Sequence, residues 1–578
     1  MSCYEKYPTL QIEGYDDSAW QGWEAITARL GARTGQRTVV VIDCYPGVRL
    51  AELEEKLLTA LNPVLAINAE QARLDESALH QLLARNLTDD RVFGVLSCHQ
   101  LSEFIDPQKL AALKEQVNNV AEGLVVVYGP GAALVHPGDV LVYADLPRWE
   151  IQQRMRSGEL DNWGAENQSE DILRRYKRAF FVEWRVFDRH KTPLLKRADF
   201  LLDTTLADTP AMVTGDALRA GLKQTTQQPF RVVPFFDPGV WGGQWMKQKF
   251  DLDPSAPNYA WCFDCVPEEN SLLLRFGAVR IEIPSQDLVL LEPRALLGEK
   301  VHARFGAEFP IRFDFLDTIG GQNLSFQVHP LTEYIQQQFG MHYTQDESYY
   351  ILEAEPGAMV YLGTKTGTEP QAILDNLRSA GRGEQPFDDA RFVNQIPAKK
   401  HDHFLIPAGT VHCSGAGTMV LEISATPYIF TFKLWDWGRL GMDGLPRPVH
   451  LEHGEKVIDW QRDTQWVHQH LVNQVEPIAE GEGWREERTG LHEREFIETR
   501  RHWFSAPVIH HTHGGVNVLN LVEGTEAVVD SPSGAFAPFT VRYAETFIIP
   551  ADVGEYRISP SEANPGKPLA TIKAWVRG

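Results

Sequence analysis

Three short segments carry the residue types that bind metal ions: LSFQVHP (324–330), HYTQDESYYIL (342–352) and IPAGTVHCSGAG (406–417). Each reads as a strand or a strand edge. Gln327 and His329 alternate i, i+2, so in an extended chain both side chains point to one face. Glu347 lies 18 residues after His329, at the start of the strand-like run SYYILEA, and His412 lies 83 residues after His329, behind the Gly turn IPAGT. Two imidazoles, a carboxylate and an amide oxygen suit a catalytic Zn²⁺ or a related divalent ion that keeps one position open. Spacing alone leaves a plainer reading in place. A histidine on a β-face is usually a hydrogen-bonded core or surface residue, and the chain has 19 of them.

Other candidates carry less. Cys262 and Cys265 form a lone CxxC without a second pair at zinc-ribbon spacing, and read as structural cysteines. His510, His511 and His513 lie in an HHTH run. His511 and His513 would share a face if extended, but no Glu or Cys follows at ligand spacing, so surface or pocket histidines are expected. Near the N-terminus, VVVID (39–43) runs into Asp43-Cys44-Tyr45-Pro46-Gly47-Val48-Arg49. That turn is where a doubly wound sheet would cradle phosphate. It has one glycine and no Lys-Ser/Thr pair, so phosphoryl transfer from it is not expected. The run RRYKR (174–178) could hold an anion, although a solvated helix face is the commoner reading.

The elements around these residues fall into three textures. Over 1–225, buried β-branched runs (39–43, 91–97, 123–129 and 139–145) alternate with helical patterns at 50–62 and 106–120, and helices continue through 147–158 and 169–191. This predicts a doubly wound α/β domain on a mainly parallel sheet. The polar KQTTQQPF (223–230) reads as a linker. Over 230–475, short runs bounded by Gly, Pro and Asn predict an antiparallel sandwich or barrel with a helical insert at about 368–385. The acidic stretch 477–490 reads as a second boundary, and 485–578 as a further β unit.

The region from about 235 to 475 resembles the class I mannose-6-phosphate isomerase family, cupin proteins with one zinc. The resemblance rests on GVWGGQWM (239–246), LSFQVHP, DESYYIL, PAGTVHCSGAG and FKLWDWGRLGMDGLPRPVHLE (432–452), in order. It implies a cupin-type barrel, metal ligation by Gln327, His329, Glu347 and His412, and a trailing second cupin-like barrel. The layout of the N-terminal domain resembles P-loop nucleoside kinases, without their P-loop. The chain departs from the isomerase pattern at three places. Gln345 stands where the family commonly has a phosphate-holding Lys, Lys433 where it has Arg, and Leu331 where Asp usually follows QVHP. Ser325, the family's other phosphate contact, is retained. Losing an ammonium removes a contact worth about 1.5–3 kcal/mol, and Arg to Lys loses the planar fork. Lys365 is a spare cation nearby in sequence, though such lysines more often serve turns.

Composition bounds the function. With 578 residues, 43% of them hydrophobic, two to four domains with real cores are expected. The net charge of −23 argues against non-specific nucleic-acid binding and against docking on anionic membrane. No apolar run approaches a membrane span, no secretory leader is read, and six cysteines suit a reduced cytoplasmic protein. The expected activity is a zinc-dependent aldose–ketose isomerase acting on a sugar or sugar phosphate through an enediol, with Lys433 steadying the enediolate and Ser325, Gln345 and Lys365 near substrate. The competing reading is a sugar-binding regulatory protein built on an isomerase scaffold. The oligomeric state is left open.

Overall fold

A computed structural model describes residues 4–32, 36–425, 431–490, 492–564 and 566–577. They divide into two compact units. One comprises Thr9–Thr225 with Glu268–Glu292; the other comprises Met1–Pro8, Thr226–Pro267 and Pro293–Gly578.

The first unit is built on a seven-stranded sheet. Its order is Ala19–Gln21, Ala211–Thr214, Phe200–Asp203, Val140–Asp145, Arg37–Cys44, Gly123–Gly129, Leu65–Asn68. The last five are parallel to their neighbours, and Ala211–Thr214 and Ala19–Gln21 are antiparallel additions at one edge. The Val/Ile runs are apolar without alternation because helices cover both faces of such a sheet. Helix Pro107–Asn118 begins where Asp106 accepts the N–H groups of Gln108 and Lys109.

Two expectations fail here. The run 91–97 is not a strand. The Val95 N–H goes to Asn86 O (2.7 Å) and the Ser97 N–H to Phe181 O (2.8 Å), so its backbone is paid out to helices. The place in the sheet is taken by the shorter Leu65–Asn68. Nor is RRYKR a solvated face or an anion site. Arg175 is buried on the carbonyls of Met155 (3.0 Å) and Leu160, and the Lys177 ammonium on those of Thr88 (3.3 Å) and Asp90.

The hairpin Ser271–Phe276/Val279–Pro284 also packs with this unit. Ser271–Phe276 pairs in parallel with Thr9–Ile12, so the strand that begins the unit is completed from a segment 260 residues away.

In the second unit, a six-stranded sheet runs His403–Ile406, Glu347–Ala354, Thr418–Ser424, Arg312–Asp317, Trp261–Cys265, Phe235–Asp237. A five-stranded sheet runs Val393–Pro397, Met359–Thr364, His412–Ser414, Phe326–Val328, Phe432–Trp435. Helix Pro370–Gly381 occupies the expected insert. A second pair of sheets follows. One runs Glu476–Gly481, Trp484–Gly490, Ile497–Phe504, Leu569–Val576, Asn517–Glu523, Thr546–Ile549, and the other Val508–His511, Glu555–Pro560, Glu526–Asp530, Phe539–Arg542. Neighbouring strands within these four sheets are antiparallel. Among the described residues neither pair closes into one hydrogen-bonded barrel; each is two sheets. The acidic stretch read as a boundary is instead the hairpin Glu476–Gly481/Trp484–Gly490, whose first strand is exposed throughout. The supposed linker is not loose either, since Thr226 and Phe230 are buried. Of the strand-like run TMVLEISATPYIFTFKLW (418–435) within the expected β region, residues 426–430 lie outside the described residues.

Candidate metal centre

Strand register brings the chemistry together. On the five-stranded sheet Gln327 is directly opposite His412 on one side and directly opposite Lys433 on the other. Directly opposed residues share a face, so amide, imidazole and amine point the same way. His329 follows just past the strand, two residues on. Glu347 opens the strand Glu347–Ala354 of the other sheet. Its Oε2 lies 3.1 Å from His329 Nε2 and its Oε1 2.9 Å from His412 Nε2, so one carboxylate joins both imidazoles and both sheets. Gln327 Nε2 is 3.3 Å from His412 Nε2, and an amide flip would present its oxygen there instead. The ligating atoms of His329, Glu347 and His412 lie within 4.8 Å of one another, and all three residues are buried.

The turn before His412 is fixed by its own chemistry. Gly409 has φ +88°, and an added Cβ would come 3.0 Å from Val457 O. Its N–H donates to His329 O (3.0 Å), tying the turn to the neighbouring ligand. Ala408 N–H donates to Asp346 Oδ1 (2.8 Å). The buried Arg462 guanidinium donates to Pro407 O (2.7 Å) and Ala408 O (2.8 Å). His412 Nδ1 lies 2.9 Å from Thr410 O. A carbonyl accepts only, so Nδ1 carries a proton and Nε2 faces the Glu347 carboxylate. Two electron-rich atoms at 2.9 Å repel unless a proton or a cation lies between them. Two imidazoles, one carboxylate and an adjacent amide therefore fit a divalent ion of the Zn²⁺ type.

Electrostatics support the arrangement. Burial would raise the Glu347 carboxyl, but the charges and hydrogen bonds of His329 and then His412 hold it well below its ordinary value. The Lys433 ammonium is pushed down from 10.5 to about 7 by burial, with Arg447 and Arg439 adding to the fall and Asp436 opposing it.

The remaining expected substrate residues are engaged within the protein. Gln345 donates to Glu347 Oε2 (2.8 Å) and to Glu422 Oε1 (3.2 Å), so its amide orients the Glu347 carboxylate rather than reaching outward. Ser325 donates to Asp436 Oδ1 (2.9 Å), whose carboxylate also holds Arg439 and, at 2.5 Å, Arg447 Nε. Lys365 is half-buried just past the strand Met359–Thr364, its ammonium on Ala390 O. Residue-by-residue reading did not single out Asp436, Arg439 and Arg447. The signal was present in DWGRLGMDGLPR (436–447), as cations beside the carboxylate of Asp436.

The other sequence candidates divide. Cys262 and Cys265 are buried free thiols on one strand. His510 is buried and His511 exposed, as alternation on one strand requires. In the first unit, the turn after Arg37–Cys44 spends its backbone donors internally: Tyr45 N–H on Ala144 O (2.9 Å) and Val48 N–H on Tyr45 O (3.2 Å). Asp43 accepts from Ala133 N–H (2.7 Å), and the Tyr45 hydroxyl donates to Asp188 (3.0 Å). A cavity of about 610 Å³ borders this turn.

Comparison with known proteins adds two findings. Residues 22–227 match a family described as "Domain of unknown function (DUF8485)". The chain is also similar to enzymes named mannose-6-phosphate isomerase. It is 27% identical over 221 residues to that of Streptococcus mutans serotype c, covering 38% of this chain and 64% of the relative. It is 25% identical over 235 residues to that of Bacillus subtilis, covering 40% and 69%. The chain thus spans about two thirds of the length of these curated relatives, which are isomerases by name. Among solved structures, the Bacillus subtilis mannose 6-phosphate isomerase aligns with a TM-score of 0.49 at 17% identity, over 60% of this chain and 99% of that one. A phosphomannose isomerase variant from Salmonella typhimurium aligns with a TM-score of 0.47 at 14% identity, over 60% and 99%.

Proposed function

We propose that the chain is a zinc-dependent aldose–ketose isomerase of the class I, cupin type, acting in the cytoplasm on a sugar phosphate of the mannose 6-phosphate/fructose 6-phosphate kind. The observation that carries this is the register at the strand Phe326–Val328: a candidate ligand, Gln327, stands between a second ligand, His412, and an amine poised near neutrality, Lys433.

Gln327, His329, Glu347 and His412 would hold the ion. When bound, a divalent ion supplies Lewis acidity to a sugar carbonyl and its adjacent hydroxyl. Everything else falls to the protein. Isomerisation takes a proton from C2 of the aldose, returns one to C1, and moves one between O2 and O1. An amine with a pKa of about 7 is part neutral at physiological pH and can accept and return a carbon-bound proton. Gln345 keeps the Glu347 carboxylate in place through its amide. Arg447 gives Nε to Asp436, and its terminal nitrogens would meet an anionic group entering beside Ser325. Cations of the closing segment thereby replace the missing lysine at position 345. The first unit is proposed as a P-loop-kinase-like scaffold without phosphate transfer, supported by the central position of its first long strand and by the internally committed turn after it.

The test is deuterium exchange at C2 of mannose 6-phosphate or fructose 6-phosphate in heavy water, followed by NMR on metal-analysed protein. Exchange that requires the metal supports the proposal. A zinc-loaded protein that binds the sugar phosphate without exchange would favour the regulatory reading instead.

A further inference from the structure

The C-terminal pair of sheets changes character along its own interior. On the strand Ile497–Phe504, residues Phe504, His502 and Arg500 alternate onto one face. Directly opposite them on Leu569–Val576 stand Leu569, Thr571 and Lys573. At one end this face is a closed apolar core of Phe504, Leu519, Leu521, Phe547 and Leu569. Toward the other end the same strands present His502, Arg500 and Lys573 to a cavity of about 260 Å³, joined by Glu486, His510 and two indoles, Trp484 and Trp575.

Polar groups in a sheet interior cost free energy unless they are paired. Some are. Arg500 Nη1 donates to Glu486 (2.7 Å), its Nε donates to Glu498 (2.8 Å), and His502 Nε2 lies 3.3 Å from Glu486. Three nitrogens are not. His502 is 2% exposed and His510 5%, yet His502 Nδ1 and His510 Nε2 have no hydrogen-bond partner among the described residues. Lys573 is 8% exposed. Its ammonium lies 5.1 Å from the centre of the Trp575 ring and makes no hydrogen bond or ion pair with a described residue. Arg500 stands directly opposite Lys573, a like-charge pairing that is unfavourable by itself. Burial pushes Lys573 down to about 8, with Glu486 opposing the fall and Arg500 adding to it. The lining holds a single carboxylate, Glu486, which Arg500 already occupies, so a metal cation is poorly served. An anion that also carries a hydroxyl would relieve each of these tensions, the anion at Lys573 and His510 and the hydroxyl at His502 Nδ1.

We propose that this cavity is a second ligand site for a small organic anion. The ligand would carry a phosphate or carboxylate group on a body no larger than a monosaccharide. Its anionic oxygens would meet Lys573 Nζ and an N–H at His510 Nε2, a hydroxyl would donate to His502 Nδ1, whose ring gives its Nε2–H toward Glu486, and its apolar flank would lie against Trp484 and Trp575. The volume lies just under the range of about 300–1,000 Å³ that holds drug-sized ligands. The lining shares no residue with the His329–Glu347–His412 centre, so the site stands or falls independently of the proposed activity.

The test is isothermal titration of the full chain with inorganic phosphate, with gluconate and with neutral glucose. Saturable binding of phosphate or gluconate, at least tenfold tighter than glucose, is expected. Phosphate as the binder names a phosphorylated ligand, and gluconate alone a sugar acid. Lys573→Gln and His510→Asn should each weaken binding at least tenfold, while Lys433→Gln and His412→Ala leave it intact. Circular dichroism checks each fold, and His510→Asn decides where Lys573→Gln does not fold. The proposal is overturned by no saturable binding of either anion, by binding that survives both cavity variants, by loss in Lys433→Gln instead, or by a second zinc per chain that disappears in His510→Asn.

Discussion

Lys433→Gln isolates the proton-transfer role from the metal. The side chain keeps its approximate length and hydrogen-bonding capacity but can no longer accept a proton at nitrogen. In the folded protein the amine sits at about 7 against an ordinary 10.5. That difference corresponds to about 5 kcal/mol as an upper bound, because Lys433 is only half-buried and solvent screens part of it. Two consequences follow. As a base the amine must be neutral, so C2 exchange in the wild type should rise about tenfold per pH unit below 7 and level off above it. In Lys433→Gln, exchange should fall about 10²–10⁴-fold, and this pH limb should vanish. Stability gives the second readout. The folded pKa is lowered, so between pH 7 and 10.5 the unfolded chain binds more protons than the folded one, and stability rises with pH across that window. The burden is greatest below pH 7, where Lys433→Gln should melt higher than the wild type. The gap should close as pH approaches 10.5. Exchange is read by NMR, melting by calorimetry, and zinc content by elemental analysis, which should match the wild type. A variant that exchanges within threefold of wild type, with the limb in place, refutes Lys433 as the base.

Three further outcomes bear on the centre. His412→Ala should lose bound zinc and C2 exchange together, and a chelator should lower the wild-type melting temperature while leaving that of His412→Ala unmoved; a metal-free, active variant would contradict the ligand set. Gln345→Leu strips the amide from Glu347 and should weaken zinc about 10–100-fold in competition titrations, whereas unchanged zinc affinity would return Gln345 to a role toward substrate. Gly409→Ala forces a side chain onto φ +88° and against Val457 O, and should cost about 1–3 kcal/mol in denaturant unfolding together with part of the metal affinity. A neutral result would mean the turn relaxes without moving His412.

How much was legible in the sequence depended on whether the cause was local. The centre's residues sit in three short strings, and the i, i+2 placement of Gln327 and His329 needs only an extended chain. The helix Pro107–Asn118 was likewise written locally, by Asp106 as its cap and Pro107 as its first residue. What failed was decided at a distance. The run 91–97 is as apolar as a strand, but its N–H groups find Asn86 and Phe181 rather than a ladder. The hairpin 271–284 reads as part of the β-rich region, yet its partner is Thr9–Ile12. The stretch 477–490 is polar because its first strand is a solvated edge, and composition cannot separate such an edge from a linker.

Gln345 shows why a departure from a pattern needs the structure before it is weighed. In the sequence it is a missing cation and so an argument for lost function. In the fold its amide lies between Glu347 and Glu422, two buried carboxyl groups. Burial, with Asp314 and Glu347 next in order, drives the Glu422 carboxyl well up, so it is held in its neutral form. An amide bridges an ionised and a neutral carboxyl without adding charge. Two cations, Arg439 and Arg447, gather on Asp436 beside Lys433. Burial first, and then those arginines, depress Lys433 toward neutrality. Gln345 therefore adds no charge beside Glu347, and the amine opposite Gln327 is set by its own burial and by the arginines on Asp436.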